Sequence, residues 1–364
     1  MSARTGPSRG PRRESDPAVH CSRRNTGATT VKDWHTMARR TRLLALALAA
    51  PLLLSACSTE NSGGDSSSSG GDSGGSSDGD LTFAVVTHGA AGDAFWDVVQ
   101  TGAEQAGDDL GVGVDYQSDG DPQRQSQLID AAVNSDVDGI VVSMANPDAL
   151  QDSVEAAVAA GIPVVTINSG AAQSAEFGAI GHVGQDETIA GQGAGQRLAQ
   201  DGAKKVLCVV HEAGNIGLEQ RCAGASQGLG TDVQLVQVDI NDLQAAQSTI
   251  TSELQTDASI DAVLTLNSAV ASVAATAAAA AGSDAAIATF DLNGDVISAI
   301  QDGTIAFAVD QQQYEQGYLP IVMLKLYAQN LNTVGGGQPV LTGPGIVDAS
   351  NVDAVADLAS AGTR

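Results

Sequence analysis

Gly139-Ile-Val-Val-Ser143, followed by Asn146-Pro147 and then by Ala160-Gly-Ile-Pro-Val-Val-Thr-Ile-Asn168, sets a helical segment between two short apolar runs. Each run is too short for a helix and apolar throughout, which fits a strand buried on both faces. Asn146 offers a capping side chain, and Pro147 has the backbone angle suited to a first helical position. Strand, helix, strand in this order predicts a βαβ unit and a parallel sheet.

The same alternation extends in both directions. Strands are predicted at Leu81–Thr87, Val112–Tyr116, Gly139–Ser143, Pro163–Asn168 and Phe177–Val183. A second series covers Lys205–His211, Val233–Asp239, Ala262–Asn267, Ile287–Asp291 and Ile305–Asp310. Between strands, Phe95–Leu110 places Phe95, Val98, Val99, Ala103, Ala106 and Leu110 on one helical face, and Asp121-Pro122 repeats the cap-plus-proline signal. The second series restarts after a helix at Glu187–Gln200. Two doubly wound α/β lobes of ordinary domain size are expected, with a ligand held where loops leave the carboxyl ends of the strands.

Charge is distributed unevenly. The 364 residues carry 17 Lys and Arg against 43 Asp and Glu, a net charge of −26. Ten of the basic residues lie in 1–56, leaving seven against 40 acids. An acidic body of this kind argues against nucleic-acid binding, which needs a basic surface. The basic segment has its own reading. Met37-Ala-Arg-Arg-Thr-Arg precedes the apolar run Leu43–Leu54, which ends in Leu54-Ser55-Ala56-Cys57. A basic start, a short apolar stretch and small residues before a break form a secretory signal, and the run is too short to span a membrane. The last four residues resemble the bacterial lipobox, in which the Cys carries lipid. Residues 37–56 are therefore expected to be a lipoprotein signal peptide. Residues 1–36, polar and without apolar periodicity, are expected to be a non-native or disordered extension. In 57–80 the lipidated Cys57 leads into Ser58–Asp80, almost wholly Ser, Gly and Asp, a composition that makes a flexible tether.

The body resembles the type I periplasmic sugar-binding proteins of the ribose- and galactose-binding kind, the extracytoplasmic receptors of ABC importers. The resemblance rests on Phe95-Trp96 after the first strand, the two runs quoted above, Val183-Gly-Gln-Asp-Glu187, and Ile287-Ala-Thr-Phe-Asp291, in that order over some 260 residues. It implies two lobes joined by a hinge, 81–184 with 312–341 and 185–311 with 342–364. It also implies a monomer that closes on its ligand and is then recognised by an ABC permease. In ribose-type receptors the positions of Asp93, Asn168, Arg221, Asn267, Asp291 and Gln311 contact sugar. A sugar site needs aromatic faces for C–H surfaces and planar polar groups for hydroxyls, and Phe95 and Trp96 supply the aromatics, with one of the two expected in the core. Asp291 as a helix cap and Arg221 as a helix salt bridge are the plainer alternatives. Where ribose receptors carry an Asp-Arg pair this chain has Asn168-Ser169, which puts ribose itself in doubt. His88, Glu219 and Asp310 are further polar candidates at strand or helix ends.

Cys208 and Cys222 lie 14 residues apart across a loop, a spacing that predicts a local disulfide in an exported protein. Two Cys with no supporting His spacing do not make a zinc site. Gly224-Ala-Ser-Gln-Gly228 matches a hydrolase motif around Ser226, but falls inside a helical segment rather than at a strand-to-helix turn. Gly191-Gln-Gly-Ala-Gly195 likewise lies within a helix and lacks dinucleotide-loop spacing. No catalysis, cofactor or metal is expected. The reading is a lipid-anchored receptor on the outer face of the cell membrane, binding a neutral monosaccharide or polyol for an ABC permease. A receptor presenting an autoinducer-like small molecule to a sensor protein is the alternative on the same fold.

Overall fold

The computed structural model describes residues 81–90 and 92–364. The signal peptide, Cys57 and the linker expected before Leu81 lie outside the described residues. From there the chain runs β1 (Thr82–Thr87), α1 (Ala94–Leu110), β2 (Gly113–Ser118), α2 (Pro122–Val133), β3 (Gly139–Ser143), α3 (Pro147–Ala159), β4 (Val164–Ile167), the single turn α4 (Ala171–Ser174) and β5 (Gly181–Gly184). It continues through α5 (Glu187–Gln200), β6 (Val206–Val210), α6 (Ile216–Leu229), β7 (Gln234–Gln237), α7 (Leu243–Thr256), β8 (Ala262–Thr265), α8 (Ser268–Ala281), β9 (Ala286–Phe290), α9 (Gly294–Asp302) and β10 (Phe307–Asp310). The last elements are α10 (Gln313–Asn330), β11 (Val340–Leu341), β12 (Gly345–Asp348) and α11 (Ala356–Ser360), with two short 3₁₀ turns flanking the last strands.

Two six-stranded sheets result, in the orders β11-β5-β4-β3-β1-β2 and β12-β10-β9-β8-β6-β7. All pairs are parallel except β10 with β12. Each sheet is doubly wound, and its strand order reverses beside its first strand, β1 or β6. Ligands of open parallel sheets bind at such a reversal. The fifth expected strand is shorter than predicted: Phe177 is buried in a loop before β5 and packs with Met144 and Val154 instead of entering the sheet. β11 and β12 had no counterpart in the sequence reading. They matter because they carry the chain back across the sheets: β11 completes the first sheet and β12, four residues later, the second.

Alternation of side chains along each strand gives every sheet two apolar layers. Val263 faces one layer of the second sheet and Ala262 and Leu264 the other. The first sheet divides in the same manner, with Phe83 and Val85 on one face and Ala84 and Val86 on the other. Helices close over these layers, and two helix pairs pack unusually tightly. A Cβ on Gly195 would sit 2.1 Å from the carbonyl oxygen of Ala225, and one on Gly228 2.1 Å from that of Gln192, so α5 and α6 touch backbone to backbone. Gly102 and Gly317 make the same contact between α1 and α10. Packing thereby accounts for the glycines of both glycine-rich motifs other than Gly193. Ser226 donates to the Cys222 carbonyl and accepts from the Val233 amide, as a helix residue rather than a nucleophile.

Candidate functional site

The loops at the carboxyl ends of both sheets converge on one cleft. Several of its side chains are helix caps, so the local sequence fixes their positions. Asp93 caps α1 by accepting from the Phe95 amide, Asn215 caps α6 through the Gly217 amide, and Asn267 caps α8 through the Ala269 amide. Asn168 and Asp291 instead follow β4 and β9 with positive φ, 60° and 73°. That conformation is uncommon outside glycine and is tolerated best by Asn and Asp. It turns the chain sharply at the strand end and sets both side chains toward the cleft. The expected alternative for Asp291 fails, since Asn293 is the cap of α9.

From the first sheet, His88, Asp93, Phe95, Trp96 and Asn168 line an inner chamber of about 30 Å³. Arg221, Asn267 and Asp291 face them from the second sheet, with Gln311 at the chain crossing after β10. Nine of the eleven candidates are thus brought together. Phe95 and Trp96 both line the chamber while staying buried in an apolar layer, and Trp96 meets His88 and Phe95 edge-on at 4.7 and 4.9 Å. His88 is buried rather than solvated, its ring fixed by Ser143 at 2.7 Å.

Glu219 and Asp310 lie elsewhere. Glu219 is two residues from Arg221, about 200° around the helix, and is exposed beside Cys222 and Ser226 on another groove. Asp310 is the last residue of β10 and alternates with Gln311, so it points away from the chamber. Its carboxylate is bound by Arg364 at 2.6 Å and the Gln312 amide at 2.9 Å.

Contacts cross the cleft directly. Asn267 Nδ2 donates to Asp93 at 3.2 Å, Asn168 Nδ2 to Gln311 at 3.5 Å, and the Ile216 amide to the Ala145 carbonyl at 3.0 Å. His88 Nε2 lies 3.5 Å from Asn215 Nδ2 and 3.9 Å from Glu212. His88, His211, Glu212 and Asn215 also line an outer chamber of about 350 Å³.

Arg221 does form an ion pair, but a buried one. Glu187, the first residue of α5, takes its Nε at 2.5 Å and Nη2 at 3.1 Å, and Gln311 takes Nη2 at 3.0 Å. The guanidinium lies 4.8 Å over the Phe290 ring, and Nη1 has no partner among the described residues. Gln311 in turn donates to Asp291. Burial drives the titration of the site. It pushes the Asp93 carboxyl up to about 6 and the Asp291 carboxyl up to about 7, despite the opposing pull of Arg221 on the latter. Burial lowers His88 and takes His211 down to about 4, keeping both rings neutral.

Ser169, His211, Glu212 and Asn215 belong to the lining and were missed in sequence. An internal comparison of the two βα series would have found two of them. His211 follows β6 as His88 follows β1, and Asn215 precedes α6 as Asp93 precedes α1. Cys208 and Cys222 are joined, tying β6 to α6 below Arg221. Among the described residues no cluster of ligating side chains could hold a metal ion, and no helix is long and apolar enough to cross a membrane.

Residues 83–332 match the model of the periplasmic binding protein domain. A carbohydrate transporter from Acidothermus cellulolyticus 11B, solved in complex with myo-inositol, is 45% identical, with a TM-score of 0.77 over 78% of this chain and 99% of that one. GanP, a glucose-galactose binding protein from Geobacillus stearothermophilus, shares the fold at 22% identity and a TM-score of 0.66, over 74% and 98% of the two chains. The ribose import binding protein RbsB of Bacillus subtilis is 28% identical over 204 residues, 55% of this chain. The xylose/arabinose-binding protein XylF of Sulfolobus acidocaldarius is 25% identical over 216 residues, also 55% of this chain. These two matches span 65% and 54% of the relatives' own lengths. With two doubly wound sheets, a polar cleft between them and a family match over most of its length, the chain belongs to the periplasmic binding protein domain family, with the type I arrangement of its sugar-binding members.

Proposed function

We propose that the protein is an extracytoplasmic solute-binding lipoprotein of an ABC importer, taking a neutral monosaccharide or polyol between its lobes and delivering it to a membrane permease. One observation carries the reading: a chamber that joins an aromatic pair to carboxylates, amides and a guanidinium, in a chain 45% identical to a protein holding myo-inositol. Phe95 and Trp96 would cover the C–H surface of the ring. Asp93, Asp291, Asn168, Asn267 and Gln311 would exchange their present mutual hydrogen bonds for bonds to hydroxyls, with Arg221 Nη1 as a further donor. The role is binding without bond-making.

An inner chamber of about 30 Å³ holds roughly one water, so a ring can enter only when the lobes part. In this reading 81–184 with 312–341 moves against 185–311 with 342–364, about the crossings after β5, β10 and β11. An anionic sugar would face Asp93, Glu212 and Asp291 in a dry cleft and bind poorly. Cys57 would carry the lipid that holds the body at the outer face of the membrane, with 58–80 as tether.

A thermal-shift screen of the protein against myo-inositol, pentoses, hexoses and sugar phosphates tests the proposal. A ligand present at 100 times its Kd stabilises by about 2.7 kcal/mol, and a neutral polyol or sugar should give that shift. No shift with any of them, or tight binding of a sugar phosphate, would overturn it.

A further inference from the structure

We infer that the cleft also accepts, and prefers, a polyol or sugar ring bearing a protonated amine, an aminocyclitol or amino sugar, over its neutral counterpart. The inference rests on the polyol reading and extends it. Three carboxylates line the inner chamber, Asp93, Glu212 and Asp291. The single cation in the lining, Arg221, is already neutralised: Glu187, which does not line the chamber, binds it through two nitrogens. A neutral ring can satisfy the carboxylates' lone pairs with hydroxyls, but it leaves their charge uncompensated. An ammonium group satisfies both.

The carboxylates sense one another. Glu212 acts on Asp93 and Asp93 acts on Asp291, in each case in the sense that opposes ionisation. A cation placed among them would relieve that repulsion, where the low surrounding dielectric makes each pair interaction stronger than in water.

An independent feature of the lining points the same way. His211 is 7% exposed, and its Nδ1 has no partner among the described residues. Burial keeps this ring neutral, so it has an unshared pair to accept with. Glu212 stands beside it in the lining and adds a carboxylate, one oxygen of which already accepts from Asn215 Nδ2. Trp96 also lines the chamber, and an indole ring is the side chain that attracts ammonium groups most strongly.

The test is calorimetry with myo-inositol, a monoamino-monodeoxy inositol, glucosamine, glucose and N-acetylglucosamine, the last removing the charge while keeping the nitrogen. The amino compounds should bind about tenfold or more tightly than their uncharged counterparts at pH 7. Asp93→Asn should cut that advantage to about threefold or less, with glucose and inositol affinity falling by a smaller factor. Amines that bind no better than the uncharged rings would overturn the inference while leaving the polyol reading standing. Binding by none of the five would overturn the inference, and the polyol reading falls with it only if the thermal-shift screen against pentoses and other hexoses is blank as well.

Discussion

Arg221 is the residue through which most of the site is connected. It holds Glu187 at the start of α5, Gln311 at a chain crossing and Phe290 below. Both members of its ion pair are about 4% exposed. Arg221→Ala would leave Glu187 buried without a counter-charge, and should destabilise the fold by about 3–5 kcal/mol in urea denaturation. The double variant Arg221→Met, Glu187→Gln removes both charges and should recover most of that loss. Polyol binding in the double variant should still weaken by about 1.5–3 kcal/mol, the range for hydrogen bonds to charged groups, which separates the two roles. Asp291 makes a second prediction. Its folded pKa, raised to about 7 from 3.8, means that the folded protein holds a proton the unfolded chain has released. That contribution to stability is complete below pH 3.8 and disappears as pH rises through 7. Below pH 6.5 the buried histidines oppose it, because His182 and His211, lowered to about 4, favour folding as pH rises. Between pH 6 and pH 8 Asp291 is therefore the clearer signal. The ligand-free protein should lose about 1.4 kcal/mol over that window relative to Asp291→Asn, and equal slopes for the two proteins would refute the assignment.

At the scale of elements, the glycines of α5 and α6 divide into two kinds. Gly191 and Gly195 face the carbonyl oxygens of Arg221 and Ala225, each 2.1 Å from where a Cβ would stand, whereas nothing lies within 4 Å of a Cβ on Gly193. Gly195→Ala should force α5 away from α6 and destabilise by about 1–3 kcal/mol. Gly193→Ala in the same helix should be neutral or stabilise by up to about 1 kcal/mol, since only the helix preference of alanine acts there. Chemical denaturation of the pair tests the backbone contact without touching the cleft. Because Gly191 abuts Arg221 itself, Gly191→Ala should also weaken ligand binding, while Gly193→Ala should not.

For the whole molecule, the cleft contacts set the expectation. His88 with Asn215, Asp93 with Asn267 and Ala145 with Ile216 all bridge the two sheets' loops, and each must part to admit a ring. Small-angle scattering should show a smaller radius of gyration with a bound polyol than without. Asp93→Ala with Asn215→Ala should shift the unliganded protein toward the open form. Trp96 is the one Trp after residue 34 and lies in the chamber, so its fluorescence should report the same transition. Identical scattering curves with and without saturating ligand would count against a hinged receptor.

Much of this was legible in the chain because it is local. A capping Asn before Pro147 and the apolar run Val164–Ile167 act on neighbours a few positions away, so βαβ alternation, caps and strand ends could be read directly. Five of the nine anticipated chamber residues, His88, Asn168, Asn267, Asp291 and Gln311, follow strands, where parallel sheets deliver their loops to one edge. Asp93, Phe95, Trp96 and Arg221 stand on or beside helices and were indicated by the family resemblance. What depends on partners far along the chain could not be read. Glu187 meets Arg221 across 34 positions, Gln311 meets it across 90, and β11 and β12 join sheets whose other strands lie well before them. Local periodicity has no term for such pairings. The turn of α6 that aims Arg221 into the cleft and Glu219 out of it depends on which face α5 covers, and only the packed helices decide that.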